Sequence, residues 1–479
     1  MVQRVILDGL WCGQGMANMV RVYKDSTVDP ATTPADWLCL FDFGSGGLSK
    51  TREALGVTPP VAFIMEQLKL QVAAGQDARI DVLAISHQDR DHWALLNELD
   101  KQIVAWGQPV AVKYMMLSGE NWRQSSKEAV AKFEDRTADA DKDVFVFGDE
   151  WSDYVDPTDM PDPLKVGDMS VWTLITNVAT NETSEDIERN CSSGVFLLQL
   201  GQLAFFLPGD ATWETFARLE QIMSVWQKNP IPAVYAASVP HHGALRTMNR
   251  STSTDTPDLR DLIWLTNYMR PYSIFASAGH KNTHSHPHLI ILRTMGAHVG
   301  KLQFQARPIV YYDTPTDRFG IIPSEDANVY TTVLSLTEPV VTANWIFSIT
   351  PTTHDTGVQV FNAGVPGILS APQVSELELA AQRATEQQAL DGTLFDGEFG
   401  DAFGEPAMAR PDPAYARSPV IWAGERSFTG DFPEQEVESG GMVSNPARPV
   451  ASHAPQPTAN AAPEPRRSGP VRRVKVTLR

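Results

Sequence analysis

The sequence predicts an α/β protein in which two β-sheets pack face to face and helices cover their outer surfaces. Over the first 310 residues, short β-branched runs alternate with longer segments of helical character. The region has two halves, and each half contains strand-like runs with helical segments between them. Two sheets with interspersed helices bury their apolar faces when the sheets pack together and the helices lie outside.

The individual elements follow from the positions of these runs. Strands are predicted at residues 2–7, 19–23, 37–43, 81–85, 109–117, 170–176, 194–200, 203–207, 233–239 and 272–277. Helices are predicted at residues 61–74, 92–103, 212–225 and 288–295. Each helix segment lies between strand segments, as the layered arrangement requires.

The chain after residue 310 divides into three parts. Residues 311–366 are strand-like and either extend the sheets or form a small β-rich module. Residues 367–410 form a helical and acidic linker, with a possible capping box at 375–378. Residues 411–479 are rich in Pro, Ala, Ser and Arg, and we expect them to be a disordered tail with a basic end.

Composition limits the classes of function. A net charge of -19 argues against a broad electrostatic grip on nucleic acid, but bound cations could still hold a substrate phosphate. The cysteines (Cys12, Cys39 and Cys191) form no spaced pair, so neither a disulfide framework nor a thiolate zinc site is expected. The sequence has no membrane-spanning apolar run and no signal peptide pattern, so we expect a cytoplasmic protein without membrane contact.

The most informative segment is Ser-His-Gln-Asp-Arg-Asp-His at 86–92, directly after an apolar run at 80–85. Imidazole and carboxylate groups at this density suit Zn, Mn or Fe. An exposed turn of solvated side chains is the alternative, which we disfavour because buried charges need partners. The candidate ligands are His87, Asp89, Asp91 and His92.

Three further polar segments follow predicted strands. Asp210 comes just after the strand at 203–207 and could bridge two ions. The pair His241 and His242 ends the strand at 233–239 and offers a metal ligand beside a proton donor. A loop after residue 277 contains several histidines together with Lys281, which could hold an anionic group of a substrate.

Together these segments resemble the soluble metallo-hydrolase domain of the ComEC-like competence DNA-channel proteins, which has the metallo-β-lactamase fold. The resemblance covers roughly residues 1–300 in family order, and the membrane channel of those proteins has no counterpart in it. The segments that carry it are Leu7-Asp8, Gly13 to Ala17, Phe41 to Gly44, Ser86 to His92, Asn190 with Ser193, Gly209-Asp210, Pro240 to Gly243, and Ser277 to Pro287.

The resemblance implies a four-layered αβ/βα sandwich as the catalytic domain, residues 1–310, with two divalent ions, Zn or Mn, at one edge between the sheets. Asp42 and Asn190 would support the ligands, and Asn282, Lys281 and His286 would face the substrate. The ligands that it implies are His87, Asp89, Asp91, His92, Asp210 as the bridge, and His242, with His241 as the alternative to His242.

The sequence departs from the wider fold at one ligand. That fold usually supplies another histidine to the first ion before the bridging aspartate, but no histidine lies between His92 and His241. Asn190 stands in this region, as in the competence branch. An amide oxygen is a weaker zinc ligand than imidazole, so manganese has equal standing with zinc.

The expected function is hydrolysis of a phosphodiester, in nucleic acid or a nucleotide, by a metal-activated water. Asp91 is predicted to be a catalytic residue as well as a metal ligand, and His286 or His241 would protonate the leaving oxygen. One alternative is a lactone, thioester or β-lactam hydrolase, because the same fold hosts these reactions. Another is a partner-regulated component of a larger assembly, with latent hydrolase activity and a protein partner bound by the C-terminal region.

Overall fold

The computed structural model describes residues 2–46, 60–119, 122–136, 143–146, 163–180, 184–225, 232–277, 285–300, 308–323, 328–336, 341–362, 421–422 and 426–427. The predicted capping box at 375–378 and most of the predicted tail at 411–479 lie outside these ranges. No helix within these ranges is long and apolar enough to cross a membrane.

The strands of the described chain are β1 (Arg4–Gly9), β2 (Ala17–Tyr23), β3 (Trp37–Phe43), β4 (Arg79–Ile85), β5 (Ala111–Leu117), β6 (Asp143–Val146), β7 (Leu164–Val166), β8 (Met169–Ile175), β9 (Val195–Leu200), β10 (Leu203–Leu207), β11 (Ala233–Ser238), β12 (Ser273–Ala276), β13 (Pro308–Asp313), β14 (Arg318–Pro323), β15 (Val329–Thr331), β16 (Val341–Ile349), β17 (Thr353–Asn362), β18 (Ile421–Trp422) and β19 (Arg426–Ser427).

The α-helices of the described chain are α1 (Pro60–Ala73), α2 (Arg90–Trp93), α3 (Leu95–Trp106), α4 (Gln124–Glu134), α5 (Glu185–Cys191), α6 (Trp213–Val225), α7 (Leu245–Met248), α8 (Arg260–Met269) and α9 (Leu289–Met295). Short 3₁₀ turns cover Pro240–Gly243 and Gly296–His298.

Most strands belong to two large sheets. The first runs β18-β17-β16-β1-β2-β3-β4-β5-β6, with β19 also paired to β17, and the second runs β15-β12-β11-β10-β9-β8-β7. Within the first sheet β3, β4, β5 and β6 are parallel, and within the second β10, β11, β12 and β15 are parallel. The remaining two, β13 and β14, form a separate antiparallel hairpin.

Strand β4 illustrates how the layers form. Its residues Val82 and Ala84 pack into the core between the two sheets, together with Phe196 and Leu198 of β9. Its residue Leu83 faces the opposite way, into a core shared with helices α1, α3 and α4. Because successive side chains of a strand point to opposite faces, a strand covered on both faces is apolar at consecutive positions.

The second sheet is covered in the same way. Residues of β10 and β11 that point away from the first sheet pack with helices α6, α8 and α9 in a third core. The order of layers is therefore helices, sheet, sheet, helices. The four-layered αβ/βα sandwich that the sequence predicted is confirmed.

Strands β15, β16 and β17 extend the two large sheets, whereas β14 belongs to the separate hairpin with β13. The long strand β16 pairs with β1, from Val5 opposite Ile349 to Gly9 opposite Trp345. Strand β15 pairs with β12 in the second sheet. Residues 311–366 therefore include both strands that extend the sheets and a strand of the separate hairpin, and the boundary placed at residue 310 falls within β13.

A buried ion pair lies between the first two strands. The guanidinium of Arg21 donates from Nε and Nη2 to the two oxygens of Asp8, at 2.7 Å each. It also donates to the hydroxyl of Tyr23 and to the carbonyl of Pro30. Ion pairing with Asp8 is one reason that the pKa of Arg21 is raised, although burial alone would lower it.

We predict that Asp8→Ala lowers the free energy of unfolding by about 3–5 kcal/mol, because the guanidinium would remain buried without its counter-charge. Urea denaturation followed by circular dichroism measures the effect. The matched control is the double variant Asp8→Leu with Arg21→Met, which leaves no charge unpaired and should lose less. Equal losses in the two proteins would contradict this explanation.

Candidate metal centre

The polar segments identified in the sequence meet at one edge of the sandwich, where parallel strands of both sheets end. Asp42 lies at the end of β3, the segment 86–92 follows β4, and Asp210 follows β10. The pair His241 and His242 follows β11. The carboxyl ends of parallel strands are a common position for functional side chains because the loops after them share one edge.

Backbone hydrogen bonds tie these loops together, both within each sheet and between the two sheets. The amide of Gly194 donates to the carbonyl of Ser86 at 2.8 Å, and the amide of His241 donates to the carbonyl of Gly209 at 3.0 Å. The amide of Met16 donates to the carbonyl of Asp91 at 2.9 Å. The ligand-bearing loops are therefore fixed relative to one another.

The carboxylate of Asp210 is at the centre of the site. Its Oδ1 lies 3.1 Å from Nε2 of His92 and 3.8 Å from Nε2 of His242. Its Oδ2 lies 3.4 Å from Nε2 of His241 and 3.9 Å from Nε2 of His87. One carboxylate thus faces four imidazoles, two at each oxygen.

Each of these imidazoles is oriented by a contact at its other nitrogen. A hydrogen bond at Nδ1 fixes the direction of the ring and leaves Nε2 to face the site. The Nδ1 contacts are His87 with Ser86 Oγ at 3.1 Å, His92 with Asp42 Oδ2 at 3.1 Å, His241 with Thr247 Oγ1 at 2.8 Å, and His242 with the carbonyl of Ser277 at 3.2 Å.

Asp42 supports the site through both of its oxygens. Its Oδ1 accepts a hydrogen bond from the backbone amide of Ser86 at 2.7 Å, while its Oδ2 faces Nδ1 of His92. Asp42 therefore connects the end of β3 to the ligand segment after β4. The supporting role that the resemblance implies for Asp42 stays a prediction, with which these contacts are compatible.

Several buried polar atoms at the centre make no hydrogen bond of good geometry with any described residue: Nε2 of His87, His92 and His242, and Oδ1 of Asp210. Buried polar atoms are normally paired, so a cluster of such atoms facing one another needs a common partner. There are two sets of possible ligand atoms, and within each set the atoms lie within 4.8 Å of one another. One set comes from His87, His92 and Asp210, and the other from Asp91, His92 and His242. Imidazole nitrogens and carboxylate oxygens at this spacing fit a divalent cation.

The protonation equilibria of the site reflect the mixture of acids and imidazoles. Burial alone would raise the pKa of Asp91, but the nearby imidazoles of His242 and His92 lower it overall. Burial and the surrounding imidazoles act on Asp210 in the same way, and its pKa is well below the usual value. Both carboxylates are therefore ionised, as ligands of a cation must be.

The backbone is strained where it carries the ligands. Asp42, His241 and His242 have φ angles of 53°, 45° and 52°, a left-handed conformation that residues with a Cβ rarely adopt. Such conformations persist only where the surrounding structure holds them, and they cluster at functional sites.

Gly44 allows the loop after β3 to approach the ligand segment closely. A Cβ at position 44 would lie 2.1 Å from the backbone carbon of Asp91 and 2.2 Å from the amide nitrogen of His92. The amide of Gly44 also donates to the carbonyl of Met16, whose own amide binds Asp91. The sequence motif that ends in Gly44 thus supports the turn between Asp91 and His92.

Asp89 differs from the other predicted ligands. Its Oδ2 lies 3.7 Å from Nε2 of His87, but its Oδ1 accepts a hydrogen bond from Nε of Arg189 at 2.5 Å. The sequence reasoning missed Arg189. Its spacing from Glu185 and Asp186 could have predicted ion pairs within a helix, but the contact with Asp89 crosses from one half of the sandwich to the other.

Two further predicted residues lie beside the site. The amide nitrogen of Asn190 is 3.5 Å from Nδ1 of His241, so Asn190 contacts an imidazole of the site. The ring of His286 stacks on that of His242, with centroids 5.4 Å apart. His288, another histidine of the segment after residue 277, contacts Thr314 instead, and both Asn282 and Lys281 lie outside the described residues.

No family model matches the chain, and no curated protein matches it. Among solved structures it is similar to the metallo-beta-lactamase fold protein YhfI from Bacillus subtilis, with 11% sequence identity and a TM-score of 0.32, over 62% of this chain and 94% of that chain. It is also similar to a new diphosphatase from the PhnP family, with 12% identity and a TM-score of 0.31, over 67% of this chain and 99% of that chain.

We predict that Gly44→Ala weakens zinc or manganese binding by about tenfold or more, because the added Cβ would displace the turn that carries Asp91 and His92. Isothermal titration calorimetry measures the affinity. The matched control is Gly296→Ala, where the nearest atom to the added Cβ is a side-chain methyl group of Val329 at 3.1 Å. A Gly44→Ala protein with wild-type affinity would show that the turn is not held by this close approach.

Proposed function

We propose that the chain is a metal-dependent hydrolase and that its preferred substrates are phosphodiesters. The convergence of buried imidazole nitrogens on the carboxylate of Asp210 carries the first part of the proposal. The preference for phosphodiesters rests on the resemblance of the ligand segments to the ComEC-like metallo-hydrolase domain.

Asp91, His92, Asp210 and His242 are the residues best arranged to hold a divalent ion, because their ligand atoms approach one another and the carboxylates are ionised. When bound, zinc or manganese would supply a Lewis acid and lower the pKa of a water. The contacts of Asp42 with His92, and of the Ser277 carbonyl with His242, hold the two rings so that Nε2 of each could bind the ion.

Two histidines are candidates for transfer of a proton to the leaving oxygen. The side chain of His241 is 20% exposed and faces Asp210 through Nε2, whereas His286 is only 3% exposed. A group that protonates a leaving oxygen must reach the substrate, so the greater exposure favours His241. His286 then acts as a wall of the site through its stacking on His242.

The substrate that we propose is a nucleic acid or a nucleotide. Such a substrate is compatible with a net charge of -19 because the cation, and not the protein surface, would hold the phosphate. Asn282 and Lys281 remain predicted substrate contacts. Binding of a protein partner through the C-terminal region likewise remains a prediction.

We predict that Asp91→Ala lowers manganese- or zinc-supported hydrolysis of bis(p-nitrophenyl) phosphate by at least about 100-fold. The loss of a ligand lowers the affinity for the metal ion and shifts the ion from its position. Activity and bound metal should fall together, as measured by absorbance and by elemental analysis. The control is Asp77→Ala, which removes an exposed carboxylate after α1 and should change neither quantity.

A parallel assay with single-stranded DNA, RNA, cyclic nucleotides, a lactone, a thioester and a β-lactam separates the proposed reaction from the alternatives. Turnover of the phosphodiesters above the others is the expected result. Turnover of the lactone, thioester or β-lactam alone would leave a metal-dependent hydrolase but overturn the proposed substrate. A wild-type protein that retains no more metal than Asp91→Ala would overturn the proposal as a whole.

A further inference from the structure

The ligands around Asp210 form two positions with different surroundings. The inner position comprises Asp91, His92, His242 and Oδ1 of Asp210. The outer position comprises His87, Asp89 and Oδ2 of Asp210, with Nε2 of His241 also 3.4 Å from that oxygen. Because one imidazole nitrogen binds one ion, His92 cannot serve both positions at once.

The inner position offers ligand side chains that are held in place and are not paired with an arginine or lysine of the described chain. His92 and His242 are fully buried, and their rings are fixed by Asp42 and by the carbonyl of Ser277. The carboxylate of Asp91 contacts His242, with 3.6 Å between Oδ2 and Nε2. No arginine or lysine within the described residues forms an ion pair with Asp91 or Asp210.

The outer position contains a carboxylate that is already paired with a guanidinium. Nε of Arg189 donates to Oδ1 of Asp89, and the side chain of Arg189 is only 6% exposed. The guanidinium is itself held on α5, because its Nη1 lies 2.9 Å from Glu185 and its Nη2 binds Asp186. A fixed guanidinium beside a carboxylate lowers the attraction of that carboxylate for a second cation.

We propose that the inner position holds one divalent ion tightly and that Arg189 makes the outer position a weak, exchangeable site. This proposal rests on the proposed function, since it assumes that the cluster binds metal. Arg189 is a positioning residue in this scheme, because it acts through Asp89 and contacts no reacting group. The resulting protein carries one resident ion and acquires a second only at high metal concentration.

The test is the number and affinity of manganese ions bound by the full chain, measured by equilibrium dialysis with elemental analysis. The wild-type protein should retain one ion per chain after gel filtration and bind a second about 100-fold more weakly. Retention of two ions of equal affinity would overturn the proposal while leaving the proposed function intact. Retention of none, with no binding in dialysis, would mean that the proposed function itself fails.

Arg189→Gln tests the cause of the difference. Removal of the guanidinium frees the charge of Asp89, so the second manganese ion should bind about tenfold more tightly while the first is unchanged. The matched control is Arg123→Gln, because Arg123 also pairs with Glu185, at 2.6 Å, and its side chain is exposed. This control should leave both affinities at their wild-type values.

Asp89→Asn provides a second variant in case Arg189→Gln fails to fold, since Asp89 lies at the surface end of the ion pair. It should abolish the second binding event and leave the first within twofold of wild type, about the precision of such a measurement. Loss of the first ion in Asp89→Asn, or an unchanged second affinity in a folded Arg189→Gln, would overturn the role that we assign to Arg189.

Discussion

The arrangement at this edge of the sandwich depends on one buried carboxylate. Asp210 presents each of its oxygens to two imidazoles, and those imidazoles come from loops of both sheets. A buried carboxylate surrounded by polar atoms that make no good hydrogen bond within the described part of the chain is costly unless a cation joins them. The loops, the strained backbone of Asp42, His241 and His242, and the contacts behind each ring all serve to hold this costly cluster in place.

The architecture and the positions of the polar segments could be predicted from the sequence because the signals are local. Apolar runs of strand length predict β4 and β10, and the polar residues directly after them must lie at the ends of those strands. The four-layered sandwich follows from the alternation of such runs with helices. The expectation that Asp42 supports the ligands required more than local pattern and came from the resemblance, which did not specify His92 as its partner.

Other features could not be read from the sequence because they depend on contacts between distant segments. The pairing of β16 with β1 joins residues more than three hundred positions apart, and nothing in either strand specifies its partner. The ion pair of Arg189 with Asp89 is similar, since it links a helix of the second half to a loop of the first. The helices α4, α5 and α8 were missed because, at 11, 7 and 10 residues, they are short and depend on tertiary packing for stability.

The unequal surroundings of the two positions make them inequivalent as metal sites, and the ligand types alone do not reveal this difference. Asp91 and Asp89 are the same residue type in the same motif, yet one contacts His242 and the other contacts a guanidinium. The difference arises from α5, which brings Arg189 to the motif from the opposite half of the sandwich. A list of ligands in the sequence would count Asp89 and Asp91 as equivalent.

The most direct test of the central claim is anomalous X-ray diffraction from crystals of the full chain grown with zinc. We expect the strongest anomalous peak at about 2.0–2.2 Å from Nε2 of His92 and His242 and from oxygens of Asp91 and Asp210. A map whose anomalous peaks all lie away from Asp210 would contradict the claim that this buried carboxylate organises a metal centre.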